Sequence, residues 1–145
     1  MNKGKRIWIA LFLALTLMLI LSGCSGLPKT AKINISFDPN PVPYDSENEP
    51  WLFNLILSES NGIGVTLISL RIDEYDQEEE LVDTQFLYEE DIIDWFDSNY
   101  LPAFSSLQVS LYPITERIYD ILTVTGIDDN NNPIEATGRV DFLPQ

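Results

Sequence analysis

The sequence predicts a single all-β domain, an antiparallel β-sandwich of about seven strands, behind an N-terminal segment of different character. Three observations predict it. Short runs in which apolar and polar residues alternate recur between Lys32 and Leu143, with the period of a half-buried strand. Clusters of Pro, Gly, Asn and Asp separate those runs, as turns require. There is no long helical pattern and no strand–helix–strand alternation, so a parallel sheet is not expected.

The elements follow in order. Lys32 to Phe37 places Ile33, Ile35 and Phe37 on one face and Lys32, Asn34 and Ser36 on the other. It stops at Asp38-Pro39-Asn40-Pro41-Val42-Pro43, where prolines that cannot donate to a ladder predict an edge or a turn that lets the strand switch sheets. Trp51 to Leu57 points Trp51, Phe53, Leu55 and Leu57 one way, with Leu52 and Ile56 on the other side; a strand apolar on both faces is expected to be central. Residues 58–64 form a turn with two glycines available for positive φ, and Val65 to Ile72 is its β-branched partner strand. The acidic stretch Asp73 to Asp83 reads as an exposed loop or extended edge. Thr84 to Tyr88 is a short strand, and the spacing of Ile92, Ile93, Trp95 and Phe96 suits a short helix near 89–96. Ser106 to Leu111 directs Leu107, Val109 and Leu111 inward. In Ile118 to Gly126 the inward set is either Tyr119, Ile121 and Thr123 or Ile118, Leu122 and Val124. Asp128 to Pro133 is a turn, and Ile134 to Leu143 returns as the last strand of a closing hairpin.

Residues 1–23 have a different character. Lys3, Lys5 and Arg6 precede Ile7 to Leu21, an apolar run of 15 residues broken only by Thr16. A comfortable membrane-spanning helix needs about 20 residues, so this run fits the core of a signal peptide. Leu21-Ser22-Gly23-Cys24 follows. Basic start, apolar run and L-S-G-C in this order resemble the signal of bacterial lipoproteins. The resemblance implies cleavage before Cys24, covalent lipid on Cys24, and a membrane anchor. Ser25 rather than Asp after the cysteine implies the outer membrane in a diderm cell, and otherwise the outer face of the cytoplasmic membrane. Residues 24–31 are then a short tether and 32–145 the domain.

Three pieces of the domain resemble bacterial immunoglobulin-like domains of the fibronectin III-like kind. They are the exit of the first strand at Phe37–Pro43, the pair of strands around the Ser58–Gly64 turn, and the closing hairpin from Val124-Thr125-Gly126 to Ala136-Thr137-Gly138. The chain departs from the antibody-type pattern in having no cysteine pair and no tryptophan in the third strand. Such domains serve adhesion, scaffolding, glycan binding and spacing, so the resemblance implies a fold and leaves the activity open.

Composition narrows the function. Removing Lys3, Lys5 and Arg6 with the signal takes the formal charge from −15 to −18, a surface that repels nucleic acid. The chain has no histidine and Cys24 is its only cysteine. Histidine-based acid–base chemistry, Ser-His-Asp triads and histidine-ligated zinc are excluded. Paired carboxylates remain, the equipment of an envelope hydrolase. Crowded acids also suit calcium, with Asp73, Asp76, Glu78, Asp128 and Asp129 as candidates, although neither cluster has the spacing of a calcium-binding helix–loop–helix. The aromatic segment containing Trp95, Phe96, Tyr100 and Phe104 is the candidate contact surface for a partner, or else a plug that finishes the core of a small sandwich. The leading expectation is a lipid-anchored, non-enzymatic interaction or assembly module with a protein partner in the cell envelope and no cofactor. The alternatives are a calcium- or glycan-binding module and the carboxylate hydrolase.

Overall fold

The computed structural model describes residues 30–45, 51–113 and 117–144; the signal segment, Cys24 and most of the tether lie outside these residues. The strands are β1 (Ile33–Asp38), β2 (Phe53–Glu59), β3 (Val65–Tyr75), β4 (Leu81–Tyr88), β5 (Tyr100–Leu101), β6 (Ser106–Leu111), β7 (Tyr119–Asp128) and β8 (Pro133–Asp141), with helix α1 (Glu89–Phe96) between β4 and β5. They form two antiparallel sheets, one in the order β1-β2-β6 and one in the order β4-β3-β7-β8, with β5 paired to the start of β3. The all-β sandwich expected from the alternation is therefore the fold.

The core lies between the sheets. Phe53, Leu55 and Leu57 of β2 face Leu70 and Ile72 of β3 and Leu122 and Val124 of β7, all buried. β2 is central in its sheet, with β1 and β6 on either side. In β7 the inward set is Leu122 and Val124. Tyr119 is also buried, but on the other face, stacked on Tyr75 at 4.6 Å and covered by the Arg139 guanidinium 3.7 Å from its ring centre.

The proline segment switches sheets, for a reason visible in its donors. Between Pro39 and Pro43 only Asn40 and Val42 carry an N–H. The Val42 N–H donates to the Asp141 carbonyl at 2.7 Å, and the Val42 carbonyl accepts from Leu143 at 2.9 Å. A parallel bridge thus joins Val42 to Phe142 beyond β8. The Asn40 side chain reinforces it, donating to the Arg139 carbonyl and accepting the Asp141 N–H. The chain leaves β1 and re-pairs with the opposite sheet.

The two lateral sides of the sandwich differ. On one, β1 packs directly on β8, and a Cβ at Gly138 would lie 2.8 Å from Ile35, so only glycine permits that approach. On the other, β4 and β6 diverge and α1 lies across the gap. Its acidic first turn suits the helix dipole, the Asp91 carboxylate accepts the Tyr88 N–H at 3.0 Å, and Asp97 ends it at φ 60°. Ile92 and Phe96, one turn apart, bury the inner face. Among the described residues no helix is long and apolar enough to cross a membrane.

Two expectations need correction. Trp51 does not open β2; it sits in the preceding turn at φ 56°, with its ring against Tyr44 and Phe142 and its indole N–H donating to the Leu143 carbonyl. Of the two readings of 73–83, the loop holds only for the hairpin tip and the extended edge only for its last residues, which open the edge strand β4. β3 runs on to Tyr75, a tight hairpin spans 76–80, and β4 begins at Leu81. Asp73 and Glu74 are buried within the sheet because each has a partner: Asp73 meets Arg71 and the Thr84 hydroxyl, and Glu74 meets Arg117 and Gln85.

Leu55→Ala removes a fully buried side chain from the central strand and is expected to cost about 2–5 kcal/mol. Ile68→Ala, at the exposed bulge of β3, is expected to stay within about 0.5 kcal/mol. Chemical denaturation of both variants checks the contrast.

Candidate functional site

Both ends of the sandwich are built around buried carboxylates, and the two ends use them differently. The first end is where the tether enters. Strand alternation carries Phe53, Leu55 and Leu57 inward, and Glu59 follows in the same register at 4% exposure. A carboxylate so placed is costly unless hydrogen-bonded. Its Oε1 accepts the main-chain N–H of Lys32 (3.1 Å) and Asn61 (2.7 Å). Its Oε2 accepts those of Gly62 (2.7 Å), Ile63 (3.3 Å) and Phe104 (3.1 Å). Gly62 adopts φ 81° and leaves room for the Phe104 ring, which a Cβ there would meet at 2.5 Å. Burial pushes the Glu59 pKa up, but the N–H groups of Asn61, Phe104, Lys32 and Gly62 outweigh it and hold the carboxyl below its ordinary range.

Asp128 does the same at the end of β7. It accepts N–H groups from Ala31, Asn130 and Asn132 at 2.8–3.0 Å, and the Asn132 side-chain amide as well. Its pKa is likewise lowered: burial raises it, and the bonds from Asn132, Ala31 and Asn130 overcome that. Ala31 and Lys32, where the tether meets the domain, are thus each held by a buried carboxylate.

The second end carries a cleft of about 460 Å³ on the open side, beneath α1. Phe53, Ile72, Leu111, Leu122 and Trp95 supply its apolar wall. Its polar groups are Glu74, Asp83, Gln85, Arg117 and Asp120. Arg117 lies between two acids: it pairs with Glu74, and its Nε sits 3.2 Å from Asp120 Oδ1 without hydrogen-bond geometry. The Glu74 carboxylate also accepts the Gln85 amide at 2.8 Å. Burial pushes the Asp120 pKa up to about 7, Arg117 opposing and Glu74 assisting. Three acids in one cleft, Glu74, Asp83 and Asp120, meet the first condition of the carboxylate-hydrolase alternative. Glu74 Oε1 is taken by Arg117 and Gln85, however, while Asp120 Oδ1 is buried without a hydrogen bond.

The contact candidates separate. Trp95 is half-buried and lines the cleft, while Phe96 is buried in the core. Tyr100 and Phe104 are exposed at the tether end, where the Tyr100 hydroxyl donates to Asp129 at 3.0 Å. That bond is the main cause of a raised Tyr100 pKa. The four aromatics do not form one face. The calcium candidates have structural partners: Asp76 accepts the N–H groups of Glu78 and Glu80 in the hairpin, Asp73 is paired with Arg71, and Asp128 is used as above. Glu78 is exposed at the hairpin tip. Among the described residues no three His, Cys, Asp or Glu side chains converge as a metal-holding group. Sequence reasoning missed Glu59, Arg117 and Asp120. The signal was present in the alternation, which puts Glu59 in line with Leu57 and Asp120 in line with Leu122.

No family model matches the chain, and no curated protein does. Solved structures give two distant likenesses. One is a Northeast Structural Genomics Consortium target, SoR45, at 10% identity and TM-score 0.48, covering 80% of this chain and 89% of that one. The other is a Bordetella pertussis structural-genomics target provisionally assigned as ApaA, at 12% identity and TM-score 0.43, covering 80% and 96%. At this level of similarity neither bears on function.

Glu59→Gln turns an amide toward five N–H donors and is expected to destabilise by about 2–4 kcal/mol near neutral pH. A depressed carboxyl pKa stabilises above its ordinary value of 4.5 and loses that contribution as pH falls through the folded value. The gap between variant and wild type should therefore narrow on acidification below pH 4.5, which denaturation at a series of pH values measures. Asp120 has the opposite sign. Its folded pKa of about 7 lies above the ordinary 3.8, so its contribution weakens as pH rises across that window. The stability of Asp120→Asn relative to wild type should rise between pH 4 and pH 8, by on the order of 1–3 kcal/mol; a fall would show that Arg117 dominates.

Proposed function

We propose that this chain is a lipid-anchored, non-enzymatic module of the bacterial cell envelope, presenting an immunoglobulin-like domain to a protein partner. The observation that carries it is the way the tether joins the domain. Ala31 and Lys32 are locked into one end of the sandwich by Asp128 and Glu59, seven and eight residues past the lipobox cysteine. Seven extended residues reach at most about 25 Å. Lipid on Cys24 would thus hold that end near a membrane and turn the cleft end outward. The membrane is the outer one in a diderm cell and otherwise the cytoplasmic one, at its outer face.

The strand order and the switch at the prolines support the immunoglobulin-like reading. β1 pairs with β2 in one sheet, and the chain then runs parallel to the last strand of the other. The acidic surface supports a basic protein partner over nucleic acid. The ligand-binding alternative draws support from the cleft, where Trp95 beside Arg117 and Asp120 offers an aromatic wall with polar groups, a setting suited to a sugar rather than to calcium.

Intact mass of the membrane-extracted protein tests the anchor. The expected mass is that of residues 24–145 plus a diacylglyceryl group, and Cys24→Ala should leave the membrane fraction without that modification. An unmodified chain cleaved at another bond would overturn the anchor. In-cell crosslinking tests the module, with a reproducible protein partner expected.

A further inference from the structure

The sheet containing β3 ends at β4, which has β3 as its only strand partner among the described residues. Its free side can be read residue by residue. The Thr84 N–H donates to the Asp83 carboxylate and the Tyr88 N–H to that of Asp91, so neither is spent on β3. Along a strand the N–H and C=O groups of alternate residues point the same way. The main-chain groups of Phe86 therefore face the open edge between those of Thr84 and Tyr88, whose N–H groups are capped by Asp83 and Asp91; the bulge at Leu81–Val82 precedes them.

The side chains there are apolar and accessible. Val82, Phe86 and Tyr88 are each more than half exposed, and the Phe86 and Tyr88 rings stack at 6.4 Å. Leu81, paired with Tyr75 across the bulge at the start of β4, is also half exposed. Strand edges are normally defended by Lys, by Pro or by inward charge. β4 contains neither Lys nor Pro; its one acid, Asp83, lines the cleft and accepts the Thr84 N–H, and its bulge lies at Leu81–Val82, so the stretch Gln85–Tyr88 carries none of these devices. The charges stand instead at its two ends, Glu78-Glu79-Glu80 before it and Glu89-Glu90-Asp91 after it, all exposed.

We propose that the open edge of β4 accepts an added strand from a basic partner protein. The segment it fits is extended, apolar or β-branched in the middle, and carries Lys or Arg at both ends. The basic groups are separated by the length of β4, about 26 Å for eight residues. Main-chain bonds to the edge supply affinity, and the acidic triplets supply register and selectivity. A second copy is a poor occupant. Whether two β4 edges run parallel or antiparallel, acidic triplets are set against acidic triplets. The proposal deepens the interaction-module reading and rests on it for the protein nature of the partner.

The test uses the full lipidated chain in detergent and a synthetic peptide with a Thr-Val-Thr-Ile-Thr-Val centre and Lys-Lys at each end. Amide exchange should show new protection confined to Val82–Tyr88, weaker at high salt, and absent when the end lysines are replaced by glutamates. Phe86→Pro removes an edge donor that β3 does not use, and should weaken binding about tenfold. The triple variant Glu78→Gln, Glu79→Gln, Glu80→Gln leaves the strand unaltered and should weaken it as well. Absence of protection at β4, equal affinity in both variants, or a dimer of the chain abolished by Phe86→Pro would each overturn the proposal. In-cell crosslinks to a protein partner that persist in Phe86→Pro would overturn the edge while leaving the interaction module standing.

Discussion

The structure depends on a carboxylate used as a main-chain acceptor. Glu59 occupies a position that strand alternation assigns to the core, and five N–H groups from three separate segments converge on it. The ends of a sandwich are where strands stop and donors are orphaned, and buried orphans are costly. A hydrophobic residue at 59 would fill the space and satisfy none of them. An amide would face them with donors of its own. Only an ionised carboxylate offers enough lone pairs to draw residues 32, 61–63 and 104 to one point. Asp128 repeats the solution one strand pair away and adds residue 31. The path of the chain into the domain is thus set by two acids, and everything at that end is arranged around them.

Donor supply also explains the other irregular stretch. In the proline segment three of five N–H groups are missing, so the chain cannot remain in a ladder. The one at Val42 goes to the opposite sheet. That switch draws β1 and β8 together and closes one side of the sandwich over Gly138. Closure on one side leaves the other to α1, which covers the gap only in part. The cleft beneath it and the overhanging edge of β4 are two results of one asymmetry.

Much of this was legible in the sequence. Alternation located seven of the strands, the prolines announced the sheet switch, and the spacing of Ile92 and Phe96 located the helix. What escaped was the burial of charge. Residue type speaks for exposure, so the sequence places Asp73 and Glu74 with the solvated acids and draws no notice to Glu59 or Asp120. Some of their partners are distant in sequence: Glu59 is held in part by Lys32 and Phe104, and Glu74 by Arg117. The contact candidates failed to gather for a related reason. Trp95, Phe96, Tyr100 and Phe104 are close in sequence, but α1 and β5 lie between their directions, so one points into the core, one into the cleft and two toward the tether.

The charge that hides these acids also bears on the proposed anchoring. A chain of formal charge −18 after removal of residues 1–23, held within about 25 Å of anionic headgroups, is repelled by them. At physiological ionic strength that repulsion decays over about 8 Å, well inside the reach of the tether. The domain therefore has room to stand clear of the surface, and lying flat on it is disfavoured. Because the tether enters at the Glu59–Asp128 end, standing clear leaves the sides of the sandwich accessible along their length. An edge strand bracketed by acids then faces the envelope rather than the lipid. The short tether and the excess of acid, each uninformative alone, together favour a surface offered sideways to a basic partner.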